Sequence, residues 1–243
     1  NLIILAARPA MGKTALALNI AKYVATMERK PSIIFSLEMS AEELIERMVA
    51  SEGMVPGYHL KTGNLSTDEW KRLVQAQSNL YDTPIFVDDT AGIRISEIRS
   101  NARKLAQEMG DLGVIIIDYL QLITGAKGEN RQQIVSEISR ELKILAKDLK
   151  VPIIALSQLS RAVEQRQDKR PMLADLRESG SIEQDADIVA FLYREAYYQK
   201  EQADSQEANN VTELILEKNR HGSLGTVKLY FHKEYTKFSS VEG

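Results

Sequence analysis

Residues 2–14 read Leu-Ile-Ile-Leu-Ala-Ala-Arg-Pro-Ala-Met-Gly-Lys-Thr, and residues 15–26 follow as Ala-Leu-Ala-Leu-Asn-Ile-Ala-Lys-Tyr-Val-Ala-Thr. An apolar run, a tight turn ending in Gly12-Lys13-Thr14 and a stretch of helix formers make the strand–loop–helix unit that grips phosphate. The start of such a helix leaves backbone N–H groups unpaired and carries partial positive charge. Arg8, Pro9, Ala10, Met11, Gly12, Lys13, Thr14 and Ala15 are therefore the expected nucleotide-binding stretch. Gly12 lets the backbone come close, Lys13 reaches the β- and γ-phosphates, and Thr14 is placed to hold Mg²⁺. The general pattern has glycine where this chain has Ala7. Gly-Lys-Thr alone is a weak signal, and an ordinary strand-to-helix turn is the competing reading. Strand, tripeptide and helix in this order favour the phosphate loop.

Outward from this unit, short apolar runs at 2–6, 32–37, 85–88, 114–118, 152–157 and 188–193 alternate with helical patterns. That alternation predicts an α/β fold with a mostly parallel central sheet flanked by helices. Ser40 with Glu43 forms a capping box ahead of a helix to about Ser51, and Ser66 with Glu69 another ahead of a helix to about Leu80. A further helix is expected over 96–109. One over 131–149 carries the stripe Ile134, Ile138, Leu142 and Leu145, which reads as core. Residues 159–175 are polar and basic without periodicity and are expected as a long loop, and 199–210 as a mobile surface excursion. Residues 211–217 and 226–232 alternate like the two strands of a C-terminal β-hairpin.

The chain has 243 residues, 44% of them hydrophobic, enough for one core, so 1–243 is read as a single domain. It begins within a strand and without Met, as a fragment would. Cysteine is absent, which excludes disulfides and thiolate zinc sites and fits a reducing compartment. No stretch reaches the length of a membrane span, and His59, His221 and His232 have no metal-ligand spacing. The net charge of −3 argues weakly against nucleic-acid binding. Between Arg161 and Arg177, however, five cations face three acids. By charge alone this is a solvated loop.

Transfer of a phosphoryl group to water needs a carboxylate for the metal, a group to orient the water and positive charge on the γ-phosphate. Asp118 closes the run Val114-Ile115-Ile116-Ile117, an acid at the tip of a buried strand, suited to position Mg²⁺. Glu38 follows Ile33-Ile34-Phe35-Ser36-Leu37 at the sheet edge where ligands bind. It reads either as a general base or as an acid favoured by the helix behind it. Gln158, ending the fifth run, reads as a γ-phosphate sensor or as a polar strand end. Lys218 and Arg220 are two residues apart at a hairpin and suit delivery to a neighbouring subunit, though an exposed Lys/Arg pair is commonplace.

The stretches LIILAARPAMGKTALALNIA, FSLEMS, VIIIDYLQL, ALSQLSR, DKRP, DLRESGSIEQDAD and KNRHGSLGTV occur in the order found in bacterial replicative DNA helicases of the DnaB family. The resemblance covers essentially the whole chain, DLRESGSIEQDAD is particularly specific, and Ala7 is usual in that family. It implies the C-terminal motor domain, without the N-terminal domain and linker helix, with a RecA-like P-loop fold assembled as a homo-hexamer.

ATP and Mg²⁺ are the implied cofactors. Glu38 then resembles the catalytic base, Gln158 the sensor, Arg220 the arginine finger given in trans, Lys218 its neighbour on the γ-phosphate, and Arg47 a contact to the sugar or base. Loops tracking single-stranded DNA would include Lys127 and Arg131, the cations Arg161, Arg166, Lys169 and Arg170, and Arg177, Glu178 and Gly180. Helicase loader and primase are implied partners, primase mainly through the missing domain. The implied location is the cytoplasm of a bacterial or phage-infected cell. The alternatives are another RecA-like ATPase, such as a recombinase or branch-migration motor, and a KaiC-like nucleotide-switched oligomer. The segment DLRESGSIEQDAD argues against the first, and the single acid at Glu38 against the second.

Overall fold

Each apolar run becomes a strand of one nine-stranded sheet in the computed structural model, which describes residues 1–125, 130–176, 180–198 and 210–241. The strands are β1 (Leu2–Ala7), β2 (Ser32–Ser36), β3 (Ile85–Asp88), β4 (Val114–Asp118), β5 (Ile153–Gln158) and β6 (Ile188–Tyr193), then β7 (Val211–Asn219), β8 (Gly225–His232) and β9 (Lys237–Ser240). Their order is β3-β2-β4-β5-β1-β6-β7-β8-β9. The first six are parallel, and β7, β8 and β9 add antiparallel strands to the edge at β6.

The parallel strands are apolar almost throughout because both faces are covered. Alternate residues go to opposite layers. Ile4 and Ala6 of β1, Ile115 and Ile117 of β4 and Val189 and Phe191 of β6 face one cluster, together with α5 (Ile95–Met109), α6 (Arg131–Asp148) and α8 (Gly180–Asp185). Leu5 and Ala7, Val114 and Ile116, and Ala190 and Leu192 face the other, against α1 (Lys13–Met27) and α2 (Ala41–Gly53). Leu142 and Leu145 of the expected stripe have no exposed surface, and Ile134 and Ile138 are buried beside them.

Both capping boxes form: Ser40 and Glu43 bond reciprocally ahead of α2, as do Ser66 and Glu69 ahead of α4 (Thr67–Tyr81). The short helices α3 (Gly57–Thr62) and α7 (Ala162–Gln165) and the strand β9 have no counterpart in the sequence pattern. Four to six residues hold too little periodicity to announce them. The expected long loop at 159–175 is instead a tied segment: α7 opens it, a 3₁₀ turn at Leu173–Asp175 closes it, and Arg166 pairs with Asp175 across it. The surface excursion expected at 199–210 lies outside the described residues apart from Asn210.

Candidate active site

Register brings the carboxyl ends of four strands together. Ser36 lies opposite Asp118, and Ala7 opposite Gln158. The turns leaving β1, β2, β4 and β5 therefore open on the same crevice. Ala7 is an extended ladder residue, so the glycine of the general pattern has no conformational duty here. Gly12 does have one. Its φ is +95°, and a Cβ there would sit 2.9 Å from the ring of Phe238, which stacks on Phe231 behind the loop. Met11 is buried in the core cluster, so its side chain serves packing. Pro9 and Ala10 are exposed at the tip.

Thr14 Oγ1 donates to Asp118 Oδ2 at 2.6 Å. Lys13 Nζ lies 3.7 Å from Asp118 Oδ1 and 4.7 Å over the Tyr119 ring. Burial lowers the Lys13 pKa, and the charges of Asp118 and Glu38 oppose that shift. Asp118 is 2% exposed, yet its Oδ1 accepts no hydrogen bond. A buried carboxylate oxygen without a donor is uncommon and suits a hard cation. One carboxylate and one hydroxyl leave most of an Mg²⁺ octahedron to water and phosphate, the usual manner of its binding. Among the described residues no cluster of three or more acids or histidines could hold a metal alone.

Glu38 is exposed just beyond β2, where Leu37 N donates to Asp118 O at 2.7 Å. Gln158 ends β5 and is clasped by Gln121, whose amide donates to Ser157 Oγ at 2.8 Å and to Gln158 O at 3.4 Å. Two residues of this neighbourhood escape a reading of the sequence. Gln121 has a faint signal, three positions beyond Asp118. Arg194 has none: it is buried and donates to Ala10 O at 3.2 Å, bracing the loop from behind.

Other expected residues stand elsewhere. The Arg8 side chain bonds to Glu164 and Leu159 O, beside the cavity it lines with Tyr119, Gln121 and Gln158. Arg47 is half-buried on α2 and, among the described residues, makes no hydrogen bond or ion pair with the phosphate loop. Lys218 and Arg220 lie at the amino end of the parallel strands. Lys218 pairs with Val189, Arg220 N donates to Asp187 O at 2.9 Å, and Ile188 lies beside Ile3. Strand β1 climbs about 17 Å between that end and the phosphate loop. Both cations point to one side, onto the carbonyls of Glu183 and Gln184 at the end of α8.

The basic segment is less open than its charges suggest. Arg166 grips Asp175, Lys169 lies over Tyr198, and Arg170 meets Glu213 and the Tyr193 ring, while Arg161 is exposed. Arg131 opens α6 and Gly180 opens α8, while Lys127, Arg177 and Glu178 lie outside the described residues.

A Gly-Lys-Thr loop after β1, an acid at the tip of β4 and one strand, β5, inserted between them define a RecA-like P-loop NTPase domain. The chain belongs to the DnaB-like helicase C terminal domain family, which it matches over residues 1–240. It is 59% identical to "Replicative DNA helicase DnaC" of Bacillus subtilis (strain 168) and 58% identical to "Replicative DNA helicase DnaB" of Geobacillus stearothermophilus. Each alignment covers 100% of this chain and 53% of the relative, so the chain spans about half the length of these curated relatives. Its fold matches a solved ATPase domain with a TM-score of 0.93 at 42% identity, covering all of this chain and 85% of that one. It also matches a chain of "The Structure Of A DnaB-Like Replicative Helicase And Its Interactions With Primase", with a TM-score of 0.94 at 43% identity, covering all of this chain and 57% of that one.

Proposed function

We propose that this chain is the ATP-hydrolysing motor of a replicative DNA helicase, acting in a hexameric ring that moves on single-stranded DNA and parts the duplex. The observation that carries this reading is a divided site. The phosphate loop with Thr14 and Asp118 stands at one end of the sheet, and the paired cations Lys218 and Arg220 stand at the other. Arg220 belongs to a neighbour's nucleotide in this reading, because its own is a strand length away.

Lys13 and the backbone around Gly12 cradle the β- and γ-phosphates. Thr14 and Asp118 hold Mg²⁺, which supplies charge neutralisation on the phosphates when bound. Glu38 orients the attacking water and takes its proton, and Gln158 senses the γ-phosphate at the tip of β5. Arg220 and Lys218 of the adjoining subunit meet charge developing on the transferred group. Single-stranded DNA runs past the segments around Lys127 to Arg131, Arg161 to Arg170 and Arg177 to Gly180, without base readout. With most of the basic-loop cations already paired within the chain, backbone N–H groups and the Arg177–Gly180 stretch carry more of that contact.

Primase, named with one solved structure of matching fold and expected mainly through a domain outside this chain, and a helicase loader, by resemblance to the family, are the expected partners, and bacterial cytoplasm the expected setting. No helix among the described residues is long and apolar enough to cross a membrane.

ATP hydrolysis with and without single-stranded DNA, across a range of protein concentrations, tests the reading. Stimulation by DNA, with a rate rising faster than linearly in protein, is expected. Slow hydrolysis, indifferent to DNA and strictly proportional to protein, would contradict it.

A further inference from the structure

Arg8 and Glu164 are 156 residues apart in sequence and meet where the phosphate loop leaves β1. Arg8 is the first residue after β1, and its side chain is 8% exposed, against 39% for that of Glu164. Nε donates to Glu164 Oε1 at 2.9 Å, one terminal nitrogen lies 2.9 Å from the same oxygen as an ion pair, and the other terminal nitrogen donates to Leu159 O at 2.9 Å. Glu164 sits on α7, in the segment that leaves Gln158.

That segment is braced as one body. Ser160 N donates to Asp175 O at 3.1 Å, Met172 N donates to the Asp175 carboxylate at 2.8 Å, and Arg166 grips the same carboxylate at 3.0 and 2.8 Å. Asp175 is 4% exposed, and Arg166 reaches its carboxylate from a side chain that is 30% exposed. The body ends at Leu176, immediately before Arg177-Glu178-Ser179-Gly180. A displacement at Leu176 is therefore carried to α7, and α7 touches the phosphate loop through the Glu164–Arg8 pair.

We propose that Glu164 is a positioning residue that transmits engagement of DNA beyond Leu176 to the phosphate loop through Arg8. This rests on the motor reading above, in which DNA and ATP bind the same ring. Coupling between two sites requires an element that both sites bias, and the braced segment 159–176 is that element. Glu164 meets no nucleotide atom in this scheme. It fixes the position of Arg8 relative to Gln158, and so the loop relative to its sensor strand.

The test compares the parental chain with Glu164→Ala and Glu164→Gln. Steady-state ATP hydrolysis is measured as an oligothymidylate is titrated in, with affinity for a fluorescent ADP analogue and thermal melting measured alongside. For Glu164→Ala, the DNA-free rate is expected to stay within about two-fold of parental, the scatter of an ordinary surface change. Stimulation by the oligonucleotide is expected to fall about five-fold or more, as for a lost coupling. Glu164→Gln, whose amide oxygen still accepts from Arg8, is expected to keep most of the stimulation. Full stimulation in Glu164→Ala overturns the proposal and leaves the motor reading standing. A proportional loss of DNA-free rate, nucleotide affinity and melting temperature in both variants also overturns it, since that is a purely structural role. A parental chain that DNA does not stimulate removes the motor reading and the proposal with it.

Discussion

The Thr14 hydroxyl donates to the Asp118 carboxylate at 2.6 Å, joining the first turn of α1 to the tip of β4 across the intervening strand β5. The other carboxylate oxygen faces Lys13 at 3.7 Å and accepts no hydrogen bond. Asp118→Asn keeps the shape and removes the charge that would balance a divalent cation. Hydrolysis is expected to fall on the order of a hundred-fold or more, with a higher Mg²⁺ requirement. Rates measured across an Mg²⁺ titration check this, and an unchanged Mg²⁺ dependence contradicts the assignment.

The separation of Arg220 from its own phosphate loop makes a mixing experiment decisive. Arg220→Ala is expected to bind ATP and lose roughly a thousand-fold or more in turnover. Lys13→Ala is expected to fail for want of phosphate binding. Combined, the two inactive chains should recover part of the activity, because a subunit of one kind completes a site of the other. Hydrolysis assayed on defined mixtures decides the matter, and a mixture as inert as its parts places Arg220 outside any shared site.

Leu142 lies with no exposed surface in the layer joining α6 to the sheet. Leu142→Ala removes its packing and leaves a cavity, at a cost of about 2–5 kcal/mol. Urea denaturation of the two chains measures it. A change within error would mean that α6 collapses into the space left behind.

Glu69 offers a titration whose sign is fixed in advance. The Ser66 backbone N–H at 2.8 Å, together with His59 at 2.7 Å, holds its carboxyl down to about 2 from the ordinary 4.5. The folded state thus binds this proton more weakly than the unfolded chain, and the stabilisation is present above the ordinary value. It is lost as pH falls through the window between 4.5 and about 2. Glu69→Gln should melt below the parental chain near neutrality, with the gap closing through that window. A constant gap across the acid range would show that the ionised carboxyl is not the stabilising form.

The sheet and the phosphate loop are legible in the sequence because their signals are local. Val114 to Asp118 announces a buried strand ending in an acid, and Ser40 with Glu43 marks a helix start within four residues. What escapes depends on partners remote in sequence. The four residues of β9 become a strand only because β8 offers an edge, and Phe238 then backs Gly12. The cations of 161–170 read as solvated charge, since nothing nearby reveals that Glu213 or Tyr198 will meet them. Arg8 reads with its neighbours as a phosphate contact, whereas its partner is Glu164. Arg194 and Gln121 act through carbonyls and amides that only the fold brings close.

With its phosphate loop at one end of the sheet and its paired cations at the other, the subunit is a link with two unlike ends. Such links join head to tail, and the rotation between neighbours decides whether the chain closes. With Lys218 and Arg220 serving a neighbour's nucleotide as proposed, an open row would contain one fewer completed crevice than it has members, with a bare loop at one terminus and idle cations at the other. Closure converts both loose ends into a working site at once. In the proposed ring, opening and shutting would therefore also remove and restore one catalytic unit.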